Sequence, residues 1–361
     1  MTTVAELHVD LGALVGNWLR LRDAAAPGQA VGAVLKADAY GTGAARVAPA
    51  LFAVGCRHFF VAHPEEALAI CAAVPGAMLA VLNGLWPGTA ALFVAHGLRP
   101  VLGSLAELAE WREAARRAGR ALPALLHVDT GMNRLGLSAA ELGVLAGEPG
   151  LLDGVALEFV MTHLVSAEDP ADAVNEAQRL AFAAACARLP PAPRSLANSS
   201  GLFLGPAFGS DLARPGAALY GVNPTPGRAN PMRDVVRLRA RVLQVRGVRA
   251  GERVGYNGVW SAGKDSRIAT VSVGYADGFL RSLSNRAVAH FDGAPVPLVG
   301  RVSMDLSTFD VTDVPGAEPG TWLELIGPQN GVDAVAGRAG TNGYEVLTSL
   351  GRRYDRVYAG A

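Results

Sequence analysis

Lysine is nearly absent from this chain of 361 residues. Lys36 and Lys264 are the two lysines among 32 basic residues, and arginine supplies the rest. Arginine keeps its proton in a protein, whereas a desolvated lysine can lose it and become a nucleophile or a base. Each lysine is therefore a candidate for amine chemistry.

The surroundings of the two lysines differ. Lys36 ends the apolar run 30–35 and is followed by a glycine-punctuated turn, whereas Lys264 lies in a segment typical of an exposed loop. An amine at the end of a buried strand suits a Schiff base to an aldehyde cofactor. The alternative interpretation of Lys36 is a side chain that snorkels from the strand end to solvent.

Net charge is also absent, since 32 acidic residues balance 32 basic ones. No electrostatic footprint therefore indicates nucleic acid or an anionic membrane surface as a partner. The three cysteines are widely spaced and form no metal-ligand pattern, so we expect buried thiols in a reducing compartment and no metal site.

Long uninterrupted apolar runs are lacking as well. The N-terminus has no basic segment followed by an apolar stretch, so no secretory signal is predicted. Polar residues and prolines such as Asn83 and Pro87 interrupt the most apolar windows, so no membrane span is predicted either. The expectation is a cytoplasmic protein of enzyme size, with two domains or one large domain and an appendage.

Short apolar strands alternate with helical segments eight times in the first two thirds of the chain. A representative helical segment begins at Ser104, a predicted cap, with Glu107 three residues later. Eight β-α repeats in this length predict a closed (β/α)8 barrel rather than an open doubly wound sheet. The predicted strands are 31–35, 58–62, 78–82, 100–103, 124–128, 156–161, 194–197 and 211–213.

The pattern changes after the Pro/Gly/Asn-rich segment 221–231, which is typical of a domain boundary. Beyond it, runs such as 235–247 and 267–274 alternate apolar and polar residues with a period of two. We therefore predict a barrel domain over residues 1–222 and a mostly antiparallel β domain over 223–361. Residues 1–10 are a candidate strand for pairing with the β domain.

Unusual polar residues follow six of the predicted barrel strands. Barrel active sites form at these strand ends, and the loops after strands seven and eight commonly bind phosphate. An amine after strand one that faces a phosphate site fits pyridoxal phosphate. The residues are Lys36, Asn83, the segment 127–134, Thr162 with His163, the segment 198–201 and the segment 214–217.

Nine segments, in order along almost the whole chain, resemble the alanine racemases. The segment around Lys36 resembles the cofactor-lysine motif of that family. The segments are AVLKADAYG at 33–41, DTGMNRLG at 129–136, MTH at 161–163, ANS at 197–199, RPGAALYG at 214–221, VGYNG at 254–258, GYADG at 274–278, GRVSMD at 300–305 and YE at 344–345.

The resemblance implies an isomerase of the fold-type III pyridoxal phosphate enzymes, built as a barrel plus a β domain and assembled as a head-to-tail homodimer. Such an enzyme interconverts L-alanine and D-alanine by a two-base mechanism on the pyridoxal phosphate aldimine and supplies D-alanine for peptidoglycan. Lys36 resembles the residue that holds the cofactor and acts as the base on the D-alanine side. Tyr256 resembles the opposing base, which reaches the site from the other subunit. A lysine and a tyrosine on opposite faces are chemically adequate for racemisation.

Further roles are implied by the same match. Arg214 resembles the arginine that hydrogen-bonds the pyridine nitrogen and, because it keeps its proton, leaves that nitrogen unprotonated. Tyr275 resembles the tyrosine at the narrow entrance, which restricts the site to small side chains. The remaining matches are Tyr40, Ser199, Gly216, Ala217 and Tyr344 at the phosphate, His163 and Asn198 beside the ring, and Arg134 with the backbone N–H of Met304 at the substrate carboxylate.

Two positions depart from the family pattern. His127 stands where members often carry a carbamylated lysine that orients the arginine corresponding to Arg134. A histidine supplies no such anion, so we expect another group, a bound anion or a neighbouring carboxylate, to hold Arg134. The segment 41–43 reads Gly-Thr-Gly where many members have Gly-His-Gly, a loop variation that leaves the packing around Thr42 open.

Three alternatives compete with an alanine racemase. A racemase of serine or of several small amino acids is the first, because discrimination of one hydroxyl is worth only about 1–3 kcal/mol when nothing is built to reject it. Amino-acid decarboxylases share the architecture, but the segments 254–258 and 274–278 resemble racemases. A non-catalytic pyridoxal phosphate carrier is a barrel without a second domain, so the β domain with Tyr256 and Met304 argues against it.

Overall fold

The computed structural model describes residues 3–360. In chain order the strands are β1 (Ala5–Asp10), β2 (Ala30–Val31), β3 (Ala33–Val34), β4 (His58–Val61), β5 (Met78–Val81), β6 (Arg99–Leu102), β7 (Leu122–His127), β8 (Val155–Met161), β9 (Arg194–Ser195), β10 (Leu212–Ala213), β11 (Val236–Val248), β12 (Arg253–Val254), β13 (Trp260–Ser261), β14 (Ser266–Val271), β15 (Val288–Phe291), β16 (Ala294–Pro297), β17 (Ser307–Asp310), β18 (Trp322–Ile326) and β19 (Asp355–Ala359).

The longest helices have 14 residues. Over residues 3–360, no helix is both long and apolar enough to cross a membrane. The helical segments are α1 (Leu11–Ala24), α2 (Lys36–Tyr40), α3 (Ala44–Ala53), α4 (Pro64–Ile70), α5 (Ala90–His96), α6 (Leu105–Ala118), α7 (Ala139–Gly147), α8 (Ala173–Cys186), α9 (Val332–Ala339) and α10 (Gly343–Ser349).

The eight predicted barrel strands form a closed ring. The strands β3 to β9 pair in parallel in chain order, and β10 pairs with β2, which precedes β3 in the first barrel strand. The backbone N–H of Arg214 donates to the carbonyl of Ala197 at 2.8 Å, which joins the seventh and eighth strands. The prediction of a (β/α)8 barrel is confirmed, and the last two strands are as short as the sequence indicated.

Helix α6 shows how local sequence fixes the barrel's outer layer. Ser104 accepts a hydrogen bond from the backbone N–H of Glu107 at 3.2 Å, which satisfies a free donor of the first turn. The helix ends at Gly119, whose φ of 62° is left-handed. Leu108, Trp111 and Ala115 lie on one face of the helix and are buried.

The second sheet is mostly antiparallel, as predicted. Its main order is β16-β15-β18-β11-β1-β19, with β14 and β17 branching from β11. The first strand, β1, pairs antiparallel with β11 and parallel with β19, so the N-terminal segment lies in this sheet. Leu7 and Leu238 are opposed and fully buried, which fixes the register of the β1–β11 pair.

Helix α10 connects the β domain to the barrel. It contacts the turn α2 that begins at Lys36. A Cβ at Gly41, immediately after α2, would lie 2.5 Å from the carbonyl oxygen of Leu347, so this close approach requires glycine. The contact brings Tyr344, near the start of α10, to the mouth of the barrel.

Candidate active site

A cavity of about 270 Å³ opens at the carboxyl ends of the barrel strands. Its lining includes the apolar residues Val34 and Leu82, and also Met132, Glu168 and Ser200. Nine predicted site residues line it: Lys36, Tyr40, His163, Asn198, Ser199, Arg214, Gly216, Ala217 and Tyr344.

The turn α2 places Lys36 and Tyr40 in this cavity through an unusual backbone conformation. Ala37, Asp38, Ala39 and Tyr40 all have φ near 54°, in the left-handed region. Such residues cost roughly 1–2 kcal/mol each, so surrounding contacts must hold the turn.

Side chains supply those contacts. Asp38 accepts from the backbone N–H of Ala44 at 2.7 Å, and Glu66 accepts from that of Ala37 at 2.6 Å. Thr42 is fully buried, and its hydroxyl donates to the carbonyl of Ala39 at 2.5 Å. Thr42, at the position where the sequence departs from the family pattern, therefore stabilises the end of the turn through a buried hydrogen bond.

The amine of Lys36 is easier to deprotonate than an exposed lysine. Burial lowers its pKa, and the positive charge of Arg134 lowers it further, while Glu66 raises it in opposition. Because the first two effects prevail, Lys36 is suited to amine chemistry and to proton exchange.

Arg214 is held in place from beneath the cavity. It is 4% exposed, and one terminal nitrogen donates to the carbonyl and hydroxyl of Ser195 at 2.8 and 2.6 Å. The other terminal nitrogen donates to the carbonyl of Thr162 at 2.5 Å. Burial lowers the pKa of Arg214 to about 10, so the guanidinium remains charged at neutral pH. Its Nε makes no hydrogen bond within residues 3–360 and is free to donate to a ligand.

The loops after the seventh and eighth strands form a cradle of donors. The hydroxyl of Ser199 accepts from the backbone N–H groups of Gly216 at 3.0 Å and Ala218 at 3.2 Å. The N–H of Ala217 makes no hydrogen bond in the part of the chain that is described. A Cβ at Gly216 would lie 2.5 Å from the hydroxyl of Tyr40, so a side chain would fill the cradle. The N–H of Ala217 and the O–H groups of Ser199 and Tyr40 remain as donors, and a small anion such as a phosphate fits this set.

Two tyrosines border the cradle. Burial raises the pKa of Tyr40 to about 12, so its phenol stays a hydrogen-bond donor. Its ring stacks on Tyr220 with a centroid distance of 4.7 Å, and the hydroxyl of Tyr220 donates to the carbonyl of Val34 at 2.9 Å. The hydroxyl of Tyr344 donates to the carboxylate of Glu168. Burial, followed by this hydrogen bond, raises the pKa of Tyr344.

Arg134 approaches the cavity on a loop organised by Asp129. The carboxylate of Asp129 accepts from the backbone N–H groups of Gly131 at 2.9 Å, Met132 at 2.9 Å and Asn133 at 3.1 Å. No carboxylate in residues 3–360 lies within ion-pair distance of Arg134. Of the two groups expected to hold Arg134, a carboxylate is therefore not found on this chain, and a bound anion stays a prediction.

Two histidines near Arg134 are held neutral. Burial lowers the pKa of His127 to about 4, and Arg214 adds to this effect. Burial, followed by Arg214 and Arg134, lowers the pKa of His163 to about 3. The positive charges near the two histidines thus come from arginine and lysine side chains rather than from imidazolium groups.

Four predicted site residues do not line the cavity of their own chain: Arg134, described above, and three residues of the β domain. Tyr256, Tyr275 and Met304 lie on the β domain and are 68%, 42% and 54% exposed. We call these three side chains the entrance ridge. Val259 and Leu306, which flank the ridge in sequence, are also exposed, so the ridge is part of an apolar surface.

Some site residues were not predicted from the sequence. Glu66, Glu168 and Ser195 act through contacts with residues 29, 176 and 19 positions away, which no local motif reveals. For Glu66 one signal exists, because it stands at the third position of α4 after Pro64, where a carboxylate caps a helix. That signal indicates the helix start but not the contact with Ala37.

Two family models cover nearly the whole chain. The alanine racemase N-terminal domain matches residues 9–224, and the alanine racemase C-terminal domain matches residues 235–358. The chain belongs to the alanine racemase family.

Individual relatives agree over their full length. The alanine racemase of Acidiphilium cryptum is 58% identical over 351 residues, which cover 97% of this chain and 98% of that protein. A protein of Mesorhizobium japonicum named as a catabolic alanine racemase is 49% identical and covers 99% of this chain and 93% of its own length. The crystal structure of the Bartonella henselae alanine racemase, with covalently bound pyridoxal phosphate, matches with a TM-score of 0.95, 40% identity and 99% coverage of both chains. The family resemblance of the sequence is confirmed.

Proposed function

We propose that this chain is a pyridoxal phosphate-dependent racemase that interconverts L-alanine and D-alanine. The observation that carries the proposal is the cavity that joins Lys36, with its lowered pKa, to the donor cradle around Ser199 and Gly216. Membership in the alanine racemase family and the pyridoxal phosphate of the Bartonella henselae relative support the same reading.

The residues of the cavity fit this cofactor. Lys36 offers an amine for its aldehyde, and the cradle offers N–H and O–H groups for its phosphate. Arg214 offers Nε, its one uncommitted nitrogen, for the ring nitrogen. A permanent cation there keeps the ring nitrogen unprotonated, which limits charge delocalisation and disfavours protonation at the wrong carbon. When bound, the cofactor supplies an electron sink for the pair left when the substrate Cα loses its proton.

Racemisation then requires two bases on opposite faces of the substrate. We assign Lys36 to the D-alanine side and Tyr256 to the L-alanine side. One group takes the Cα proton while the other returns a proton to the opposite face, so the net change is inversion alone. Arg134 and the backbone N–H of Met304 are assigned to the substrate carboxylate, and Tyr275 to the entrance.

The exposed position of the entrance ridge supports a shared site. Tyr256 does not line the cavity of its own chain, yet the mechanism needs it beside a Lys36. A head-to-tail homodimer, in which each β domain delivers its ridge to the partner's barrel, meets that need. We also keep the division at residues 222 and 223 as a proposed domain boundary.

The physiological role is proposed on the same basis. A supply of D-alanine for peptidoglycan is the expected use of the product, and the cytoplasmic location stays a prediction. The second candidate function is a racemase of serine or several small amino acids. It stays open because none of the lining residues of the described cavity is assigned to reject one added hydroxyl.

Replacement of Lys36 tests the cofactor assignment. Lys36→Ala and Lys36→Arg are both expected to abolish racemisation in both directions, since neither offers a free amine. Borohydride reduction of the holoenzyme, followed by peptide mapping, should place the pyridoxyl label on the peptide that contains Lys36. Lys264→Ala is the matched control, and a label on Lys264 would overturn the assignment.

Replacement of Tyr256 tests the second base. Tyr256→Phe should leave the cofactor bound and reduce proton exchange by roughly 10²–10⁴-fold, more severely with L-alanine as the substrate. Solvent deuterium incorporation, followed separately from each enantiomer, measures this asymmetry. Equal and mild losses from both enantiomers would exclude Tyr256 as one of the two bases.

A further inference from the structure

Tyr275 and Met304 of the entrance ridge lie on two loops that are bonded to each other. The backbone N–H of Tyr275 donates to the carbonyl of Ser303 at 3.0 Å, and that of Ala276 donates to the carbonyl of Met304 at 2.9 Å. A Cβ at Gly274 would lie 2.4 Å from the carbonyl oxygen of Met304, so the loops approach as closely as glycine allows. Tyr275 and Met304 therefore shift together when either loop shifts.

One side chain fastens this pair of loops to the end of the chain. The Nε of Arg353 donates to Asp277 at 2.5 Å, and its Nη1 donates to Asp305 at 2.7 Å. Asp277 lies two residues after Tyr275, and Asp305 directly follows Met304. The guanidinium of Arg353 thus bridges the two loops, with Nε bonded to one loop and Nη1 to the other.

The first of these carboxylates is buried and has a second fixed contact. The side chain of Asp277 is 5% exposed, and its other oxygen accepts from the backbone N–H of Gly274 at 2.9 Å. The carbonyl of Asp277 accepts from the N–H of Gly351 at 2.9 Å. Over residues 3–360, Arg353 is the single cation within ion-pair distance of Asp277 or Asp305. Backbone hydrogen bonds join the two loops to each other, and Arg353 is the charged side chain that ties both of their carboxylates to the segment after α10.

We propose that Arg353 is a positioning residue of the racemase, which sets Tyr275 and Met304 of the entrance ridge in the partner's active site. This inference rests on the proposed shared site. Arg353 touches neither cofactor nor substrate; it acts through Asp277 and Asp305 on Tyr275 and the N–H of Met304. Looser loops would weaken the grip on the substrate carboxylate and widen the entrance.

The consequence is a dependence on which subunit carries the change. The cavity of a chain contains its own Lys36, whereas the ridge that Arg353 holds serves the partner. A hybrid dimer of a Lys36→Ala chain and a Tyr256→Ala chain has one working site, built from the lysine of the second chain and the ridge of the first. A change at Arg353 should therefore alter the activity of the working site when it is in the Lys36→Ala chain and leave that activity unchanged when it is in the Tyr256→Ala chain.

The substitution of choice is Arg353→Lys. A lysine keeps the charge and can pair with buried Asp277, but its single ammonium cannot reproduce the planar fork that reaches both carboxylates. Arg352→Lys is the matched control, because the neighbouring Arg352 is exposed and makes no side-chain hydrogen bond or ion pair in the part of the chain that is described.

The experiment uses holoenzyme hybrids purified through a different affinity tag on each chain. With Arg353→Lys in the Lys36→Ala chain, KM for alanine should rise roughly 10- to 100-fold, the effect of a misplacement near one ångström. The kcat/KM preference for alanine over serine should fall as well. The same change in the Tyr256→Ala chain, and Arg352→Lys in either chain, should leave both quantities unchanged.

Each other outcome has a distinct meaning. Equal losses from either chain, with a lowered melting temperature, would show a general structural role and overturn the proposal. Unchanged KM and preference in every hybrid would overturn it too. An inactive parental hybrid would instead contradict the shared site on which the proposed function depends, and the Arg353 proposal would fall with it.

Discussion

At the scale of single residues, a neutral buried histidine makes stability depend on pH. The pKa of His127 is lowered to about 4, below the value near 6.5 of an unfolded chain. Below about pH 6.5 the unfolded chain binds a proton that the folded protein refuses, so folded stability decreases as the pH falls. Between about pH 6.5 and the lowered pKa, each such histidine reduces the free energy of unfolding by about 1.4 kcal/mol per pH unit. Above pH 6.5 the histidine causes no such loss.

The first prediction follows from this sign. His127→Gln should reduce the loss of thermal stability between pH 6.5 and pH 5, because the substitution removes one of the groups that take up a proton on unfolding. Melting temperatures of the holoenzyme across that range measure the slope. His96→Gln is the control, since His96 is exposed on α5 and the change should leave the wild-type slope intact. Parallel curves for the wild type and His127→Gln would contradict the prediction.

The residue scale also shows what the sequence could and could not provide. Residues such as Lys36, Ser199 and Arg214 stand in ordered local segments at predicted strand ends, so their meeting in one cavity was predictable. Glu66 and Glu168 carry no such signal, because their contacts with Ala37 and Tyr344 depend on the packing of distant elements. Tertiary contacts of this kind follow from the closed barrel, not from local sequence.

At the scale of elements, the turn α2 is the part of the fold that the sequence did not predict. A strand end followed by small residues and glycine indicates a turn, but not four consecutive left-handed residues. The side-chain contacts of Asp38 and Glu66 and the buried Thr42 together compensate a conformation that is locally unfavourable. The barrel strands, by contrast, were predictable because their apolar runs and spacing are regular.

The second prediction reverses the usual effect of glycine. Ala37 is exposed with φ of 53°, so Ala37→Gly removes a steric cost of roughly 1–2 kcal/mol and adds the smaller cost of a more flexible unfolded chain. A net gain of about 1 kcal/mol is expected, seen as a higher melting temperature. Ala109→Gly, at an exposed position in the middle of α6, should lower stability by about 1 kcal/mol. Destabilisation by both changes would show that the left-handed turn is not present in solution.

At the scale of the whole molecule, the proposed function makes one chain contribute to two different sites. Its barrel, together with Tyr344, lines the cavity proposed for the cofactor, and its β domain presents the exposed ridge of Tyr256, Tyr275 and Met304. Helix α10 belongs to both, because Tyr344 lines the cavity and the segment after α10 carries Arg353 to the ridge loops. The sequence indicated both halves by resemblance, but alternation and spacing cannot say which chain completes which site.

The third prediction separates cofactor binding from catalysis through dilution. The residues assigned to the cofactor come from one chain, so the visible absorbance of the bound cofactor should persist when dimers dissociate in the presence of excess pyridoxal phosphate. Racemase activity per chain should fall in proportion to the dimer fraction, because the cavity of a dissociated chain lacks the partner's Tyr256. Sedimentation measured at the same concentrations gives that fraction. If activity per chain stayed constant where monomers predominate, Tyr256 would have to act within its own subunit or not at all, because a partner's ridge would then be absent from most working sites.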